Sequence, residues 1–220
     1  MAESGKHVYD FPRAGLTADT AVLALVDGRL SVALIKRARE PYAGCWALPG
    51  GYMEIDETLE AAARRELREE ASLAPAVFEP LGAFDAINRD PRGRTITFAY
   101  LAVGVENAAD LRAGDDAAEA AWRPVRELPE MAFDHALIVA AAVKQLDRCI
   151  DEARLFEFVL PEEFSPVDVH NLMCEAAGVR IGSYWAARLV RARPDFVRLG
   201  RFKRRSGPGS QQVYYRRAGS

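Results

Sequence analysis

Apolar residues recur in short runs between residues 17 and 105, and each run is bounded by turn-forming residues. The first two runs, within residues 17–37, are joined by Asp27 and Gly28, a dipeptide that favours the positive-φ geometry of a tight hairpin turn. Two further runs lie between Val77 and Val105 and flank the polar segment INRDPRGR. The pattern predicts two paired strands, followed by two more strands that are joined by a charged loop.

Helical spacing replaces this pattern in two other segments. One segment begins near Glu57 and ends before Leu73, and the other runs from Asp134 to Cys149, where an aspartate that can cap the helix precedes helix-forming residues. The glycine-rich stretch PYAGCWALPGGY is predicted to be a loop that leads into the first helix. Residues 110–131 are predicted to begin as a polar loop and to continue through a short strand around Trp122.

The C-terminal part has a different pattern, which predicts a second unit over residues 153–220 after a first unit over residues 1–152. Ser165 and Pro166 suit the first positions of one helix, and Ser183 can cap a second helix that ends before Pro194. The remaining residues alternate apolar and basic side chains on both sides of SGPG, as a two-stranded wing would. Two helices followed by a hairpin are the outline of a winged helix.

Charge divides the chain in the same way. The net charge is −3, but from Gly178 onward eleven basic residues face a single acid, Asp195, which leaves 31 acidic and 18 basic residues before that point. Two parts of opposite charge indicate separate roles. No apolar run approaches the ~20 residues that a membrane helix needs, and the N-terminus is too polar for a secretory signal. We therefore expect a cytoplasmic protein with no membrane partner.

Three carboxylates share one face of the first predicted helix. Glu66, Glu69 and Glu70 are spaced at three and four residues, and like charges at this spacing cost roughly 0.2–0.5 kcal/mol per pair. An ordinary solvated helix, with neighbouring arginines offsetting part of the repulsion, is one interpretation. The other is a cation site, for which Mg²⁺ is suited because it takes carboxylate oxygens and shares its remaining positions with substrate phosphates.

The register of this segment favours the cation site. Gly51 is followed after five residues by Glu57 and after seven more by the run RELREEASL at residues 65–73. This spacing resembles the Nudix box at every fixed position except Ser72, where the box has glycine. A glycine directly after a helix usually serves a left-handed C-cap, so Ser72 predicts a strained cap, at a cost of roughly 1 kcal/mol, with the metal ligands intact.

The resemblance implies a mixed α/β protein, a Nudix α/β/α sandwich with a mixed sheet followed by a small winged-helix domain. It implies that Glu66, Glu69 and Glu70 bind Mg²⁺ or Mn²⁺, with Glu66 and Glu69 also catalytic, and that water attacks a nucleoside diphosphate such as ADP-ribose. Gly50 and Gly51 would bring the backbone close to metal and phosphate. Glu119 is the candidate for an additional base or ligand, with a solvated loop carboxylate as the alternative.

A cluster of arginines at the tip of the predicted loop between Val77 and Val105 is the candidate for substrate recognition. Arg89, Arg92 and Arg94 belong to this cluster, and guanidinium groups hold phosphates bidentately. A similar Asp-Pro-Arg-Gly-Arg loop is familiar in ADP-ribose-type Nudix proteins. Arg37 is a further candidate for the same pocket. The alternative is a solvated hairpin tip.

A Nudix domain followed by FVLPEEFSPVDVHNL and a basic wing is similar, over nearly the whole chain, to the Nudix-related transcriptional regulators of NAD metabolism. That resemblance implies a homodimer that senses ADP-ribose or a related nucleotide and binds double-stranded DNA. The implied DNA contacts are Arg188, Arg191, Lys203, Arg204 and Arg205. The wing tip Gly207-Pro208-Gly209 lacks the central arginine that is frequent in that family. A plain hydrolase, whose C-terminal part only packs or dimerises, remains the alternative.

Overall fold

The computed structural model describes residues 10–105, 108–114, 117–149, 156–177, 183–204 and 211–218. The strands of the first unit are β1 (Gly15–Val26), β2 (Arg29–Arg37), β3 (Trp46–Ala47), β4 (Gly50–Tyr52), β5 (Val77–Phe84), β6 (Thr95–Val103) and β7 (Ala117–Pro124). Its helices are α1 (Leu59–Ala71) and α2 (His135–Cys149), with a short 3-10 turn at Ala108–Asp110. The strands and helices predicted for this unit are confirmed.

Strand β1 organises the sheet because its two halves have different neighbours. Its first half pairs in parallel with β6 and antiparallel with β4, whereas Leu23 to Val26 pair antiparallel with β2. Asp27 and Gly28 turn the chain between β1 and β2 with φ angles of 50° and 76°, the paired positive values of the predicted tight turn. The strand order is β3-β2-β1-β6-β5, with β4 added at β1 and β7 at β2, so the sheet is mixed as predicted.

Helices cover both faces of this sheet. Successive side chains of a strand point to opposite faces, and Val22 accordingly packs with Leu67 of α1, whereas Leu23 belongs to the apolar cluster that contains Ile138 and Leu146 of α2. The prediction of a mixed α/β fold is confirmed.

The C-terminal part contains α3 (Phe156–Val159), β8 (Glu163–Phe164), α4 (Pro166–Ala177), α5 (Ser183–Ala192), β9 (Phe196–Arg204) and β10 (Gln211–Arg217). Its three strands form a separate antiparallel sheet in the order β8-β10-β9. The predicted order of two helices and a hairpin is present. Helix α4 packs against α2 and β2, so the C-terminal part lies directly on the first unit. Among the described residues, no helix is both long and apolar enough to cross a membrane.

Candidate functional site

Both ends of α1 are capped by the residues that precede and follow it. The Thr58 hydroxyl accepts a hydrogen bond from the Ala61 N–H at 3.2 Å. Ser72 adopts the left-handed conformation expected at this position, with φ 56° and ψ 27°, and its N–H donates to the Arg68 carbonyl at 3.1 Å. The helix therefore ends with the geometry of the family's glycine cap, although a serine provides it.

The glycine turn lies directly against the helix carboxylates. The Gly50 N–H donates to Oε2 of Glu70 at 2.9 Å. A Cβ atom added at Gly51 would clash with the Glu66 carboxylate, and one added at Gly50 would clash with Asp19. Gly50 is excluded from carrying a side chain because its Cβ would also meet the Ala18 and Asp19 backbone, whereas a side chain at Gly51 would displace the Glu66 carboxylate.

Arg65 joins the start of α1, β4 and two of the three carboxylates. Its guanidinium donates to both oxygens of Glu57 at 3.1 and 2.6 Å and to the Tyr52 carbonyl at 3.1 Å. It also donates to Glu66 at 2.8 Å and to Glu69 at 3.3 Å. This single side chain therefore fixes the orientation of the carboxylate face relative to the glycine turn.

Burial opposes the ionisation of two of the carboxylates. Burial, with a smaller contribution from the nearby Glu66 and Asp19 charges, raises the pKa of Glu70 to about 7, although the hydrogen bond from Gly50 opposes the change. Burial also raises the pKa of Glu66, although Arg65 opposes the change. The Glu69 side chain is 60% exposed. A cation on this face would stabilise the two buried carboxylates in their charged form.

The three glutamates supply a donor set that suits a hard divalent cation. All their donor atoms are carboxylate oxygens, which Mg²⁺ and Mn²⁺ prefer, and two of the carboxylates are partly withdrawn from water. Across the described residues, however, no group of three His, Cys, Asp or Glu side chains already has the arrangement of a metal site. The residues therefore fit a cation in chemistry and charge, while Arg65 holds Glu66 and Glu69 in the present arrangement.

A cavity of about 90 Å³ opens beside the glycine turn. It lies between β1, β2, β4, the loop after β5 and the residues that lead into α2. Its lining residues are Thr17, Asp19, Ile35, Arg37, Leu48, Gly50, Gly51, Tyr52, Arg89, Asp90, Arg92, Phe133 and His135. Five of the six residues predicted to bind substrate are thus brought together. The exception is Arg94, which donates instead to the carbonyls of Asp85, Ala86 and Thr95.

The three arginines of the cavity have different environments. Arg89 is buried, donates to both oxygens of Asp134 at 3.0 and 2.7 Å, and lies 3.7 Å from Asp19, so its guanidinium holds the loop against α2 and β1. Arg92 forms a bidentate pair with Asp90 at 3.0 and 2.8 Å and lies over the Tyr52 and Phe133 rings.

Arg37 is the third arginine and, like Arg92, lies against the Phe133 ring. Its Nε donates to the Pro41 carbonyl at 2.8 Å, and its guanidinium lies 5.0 Å from the ring centroid. Burial and the neighbouring charge of Arg92 lower its pKa. Arg37 and Arg92 together present positive charge to the cavity.

The cavity floor contains polar residues that the sequence pattern did not single out. Asp19 accepts a hydrogen bond from the Thr97 hydroxyl at 2.6 Å and lies 3.7 Å from Nε2 of His135. Nδ1 of His135 accepts the Leu48 N–H at 2.9 Å, and burial lowers the histidine pKa. The feature of the sequence that could have identified Asp19 is the presence of an aspartate inside the apolar run of β1. His135 is buried and holds the Leu48 backbone beside the cavity.

Glu119 lies in a strand and not on the polar loop where it was predicted. In β7 it is paired with Lys36 of β2, and its carboxylate lies 3.9 Å from Lys36 and 3.6 Å from Arg123. Within the described part of the chain it does not line the cavity. The loop predicted to begin at residue 110 ends earlier than expected, because Ala117 already pairs with β2.

The predicted DNA contacts fall on α5 and β9. Arg188 and Arg191 are exposed on α5. Lys203 and Arg204 are the last two residues of β9. Arg205 and the Gly207–Gly209 wing tip lie outside the described residues.

Comparison with known proteins matches the NUDIX domain to residues 16–142. An ADP-ribose pyrophosphatase of Methanocaldococcus jannaschii is 41% identical over 119 residues, which cover 54% of this chain and 69% of that protein. The ADPR responsive transcriptional repressor NtrR of Acinetobacter baylyi is 27% identical over 167 residues, which cover 74% of this chain and 66% of that protein. Nudix hydrolases generally use a divalent metal ion.

Two solved structures are similar to this chain in fold. NrtR of Shewanella oneidensis, complexed with a 27mer DNA, has the same fold with a TM-score of 0.73 and 24% identity, covering 92% of this chain and 93% of that one. The NUDIX domain of that NrtR, complexed with ADP ribose, is 31% identical with a TM-score of 0.57 and covers 63% of this chain and 94% of that one. The chain therefore belongs to the NUDIX family, resembles a Nudix-related transcriptional repressor over 74% of its length, and has the fold of NrtR over 92% of its length.

Proposed function

We propose that this protein is a transcriptional regulator that binds ADP-ribose or a related nucleoside diphosphate, binds double-stranded DNA as a homodimer, and retains Mg²⁺-dependent hydrolase activity. The observation that carries the proposal is the presence in one chain of two charged surfaces. One is the carboxylate face beside a cavity that contains Arg37 and Arg92, and the other is the exposed face of α5 with Arg188 and Arg191.

The chain's own residues would prepare the diphosphate for hydrolysis. Arg37 and Arg92 supply positive charge to its oxygens, and Gly50 and Gly51 allow the backbone to approach it. Mg²⁺ or Mn²⁺, when bound by Glu66, Glu69 and Glu70, would supply Lewis-acid charge to the phosphoryl group and the attacking water.

A carboxylate would then take the proton from the attacking water, and cleavage of ADP-ribose would give AMP and ribose 5-phosphate. Glu69 is the first candidate because it belongs to the box and is exposed, whereas Glu66 and Glu70 are half-buried. Glu119 is the second, and it would have to act from β7, where its carboxylate faces Lys36 and Arg123.

Regulation requires the nucleotide to bind two conformations with different affinity. Helix α2 supplies a physical connection, because Phe133 and His135 at its beginning line the cavity and its body packs against α4. Helix α4 in turn packs against α5, where Arg188 and Arg191 would contact DNA phosphates in a winged-helix arrangement. Slow hydrolysis of the bound nucleotide would reset the regulator.

The second candidate function is a plain ADP-ribose pyrophosphatase whose C-terminal part packs or dimerises. Two observations favour it. The identity with the archaeal pyrophosphatase is 41%, against 27% with the repressor, and the three box carboxylates are all present.

Two assays on one preparation of the full chain separate these functions. The first measures hydrolysis of a panel of nucleoside diphosphate compounds with Mg²⁺. The second measures salt-dependent binding to the gene's own upstream DNA with and without ADP-ribose. The regulator should bind that DNA in preference to scrambled DNA, and ADP-ribose should change the affinity. Binding that is equally weak on all DNA would leave the hydrolase, because phosphate contacts alone give sequence-independent affinity.

Glu69→Gln tests whether hydrolysis and DNA binding depend on different parts of the chain. The substitution keeps the size of the side chain and removes its charge, so hydrolysis should fall by roughly 100-fold or more. Glu69 belongs to α1, which packs chiefly against β1, β2 and β4 of the first unit, and DNA binding should therefore be unchanged. Simultaneous loss of hydrolysis and DNA binding would contradict this separation.

A further inference from the structure

Helix α5 exposes two large aromatic side chains beside its arginines. Tyr184 is 73% exposed and Trp185 is 58% exposed, while the buried face of the helix is formed by Ala186 and Val190. With 3.6 residues per turn, Tyr184 lies on the same stripe as Arg188 and Arg191, and Trp185 flanks it. Both aromatic side chains lie in the first turn of the helix, away from the core that a Tyr or Trp normally joins.

The charge around this aromatic pair indicates a polyanionic partner. The Arg188 guanidinium lies 5.5 Å from the centroid of the Trp185 ring, so the apolar and cationic groups form one continuous surface. Eleven basic residues follow residue 177 against one acid, Asp195, whose carboxylate is held by Arg193 at 2.9 and 2.7 Å. An apolar protein surface would leave these arginines without counter-charges, whereas a nucleic acid backbone supplies them.

We propose that Tyr184 and Trp185 read thymine methyl groups in the major groove, while Arg188 and Arg191 bind phosphates. The inference rests on the proposed DNA binding and adds the residues that give it sequence preference. Phosphate contacts fix position without reading sequence. The C5 methyl of thymine is the apolar group that the major groove presents, and an exposed aromatic side chain contacts it without adding charge. The first turn of a recognition helix is the part that faces base edges.

Replacing thymine by uracil in the DNA tests the contact directly. A preferred duplex is first selected from a random-sequence library with the full-length protein and is then prepared with deoxyuridine at each thymidine position. The wild-type protein should lose about tenfold in affinity on the uracil duplex, within the range expected for a base contact. Trp185→Ala and Tyr184→Ala should each bind the thymine duplex more weakly and should distinguish it less from the uracil duplex.

Two matched variants control for general effects. Phe11→Ala removes an aromatic side chain that is 80% exposed outside α5, and it should leave affinity and thymine preference unchanged. Arg191→Gln should weaken binding to every duplex and reduce the slope of log affinity against log salt concentration by about one. The aromatic variants should retain the wild-type slope, because they carry no charge.

The outcomes separate this inference from the function on which it rests. A wild-type protein that selects no sequence overturns both. A wild-type protein that selects a sequence, with aromatic variants that keep the full preference for thymine over uracil, overturns the inference alone. Sedimentation of the same variants gives a further test. If Trp185→Ala or Tyr184→Ala converts a wild-type dimer into a monomer, the aromatic pair is an interface between copies of the chain and the inference is wrong.

Discussion

Glu70 is the residue at which stability and the proposed chemistry conflict. Its pKa is 4.5 in the unfolded reference and about 7 in the folded chain, so the folded state binds more protons between these pH values. Stability of the metal-free protein should therefore fall as the pH rises through this window. Glu70→Gln retains an acceptor for the Gly50 N–H and removes the buried charge. We expect it to be about 2 kcal/mol more stable than wild type at pH 8.

Urea unfolding in the presence of a chelator at pH 5 and pH 8 measures this effect. The advantage of the variant should be small at pH 5, where the wild-type carboxyl is protonated, and full at pH 8. Added Mg²⁺ should stabilise the wild type more than the variant, because only the wild type keeps this ligand. An advantage of equal size at both pH values would show that ionisation of Glu70 is not its cause.

Ser72 is a second residue whose side chain should measurably lower the free energy of unfolding. It occupies the left-handed region with φ 56° and is exposed, so its side chain brings strain without compensating burial. Ser72→Gly should raise the free energy of unfolding by about 0.5–1 kcal/mol, since relief of strain exceeds the added entropy of the unfolded chain. Ser72→Ala is the matched control, because it keeps a Cβ and should not stabilise. Thermal or chemical unfolding of the three proteins distinguishes these effects.

At the scale of elements, Arg65 determines how α1 meets the glycine turn. It pairs with Glu57 and Glu66, whose side chains are each 14% exposed, and it binds the Tyr52 carbonyl of β4. Arg65→Ala would leave two partly buried carboxylates without their counter-charge, and we expect a loss of about 2 kcal/mol in stability together with reduced hydrolysis. Arg65→Lys should recover only part of this, since an ammonium group cannot form the bidentate pair with Glu57.

Arg68→Ala provides the control within the same helix, because Arg68 is exposed. Its removal should change stability by less than about 0.5 kcal/mol. Equal losses for the two arginines would contradict a specific role for Arg65 and would indicate a general effect of positive charge on this acidic helix.

Elements that depend on local chemistry were predictable from the sequence. Asp27 and Gly28 determine a turn, and the box register identified the helix, its carboxylates and the left-handed cap at Ser72. The cavity floor was not predictable, because Asp19 and His135 are brought together only by the pairing of β1 and the packing of α2. Arg89 was expected to bind phosphate. Its pair with Asp134 could not be predicted from the sequence, because it depends on the same long-range packing.

At the scale of the whole molecule, the two predicted units share one apolar cluster. Leu23 and Leu34 of the sheet belong to the same cluster as Phe164 and Leu172 of the C-terminal part. Arg126 adds a hydrogen bond of 2.7 Å to the Glu175 carbonyl at the end of α4. The opposite charges of the two parts indicate separate roles, but this shared cluster couples their stability.

The chain should therefore unfold as one cooperative unit. Leu172 is fully buried, and Leu172→Ala should lower the free energy of unfolding by about 2–5 kcal/mol through lost burial and the cavity that remains. Because the cluster spans both parts, the destabilisation should appear equally by circular dichroism and by the proposed ADP-ribose binding, which would report on the first unit. Leu137→Ala, at a position 64% exposed on α2, is the control and should change stability little. Two separate transitions, with ADP-ribose binding unaffected by Leu172→Ala, would show that the C-terminal part unfolds independently.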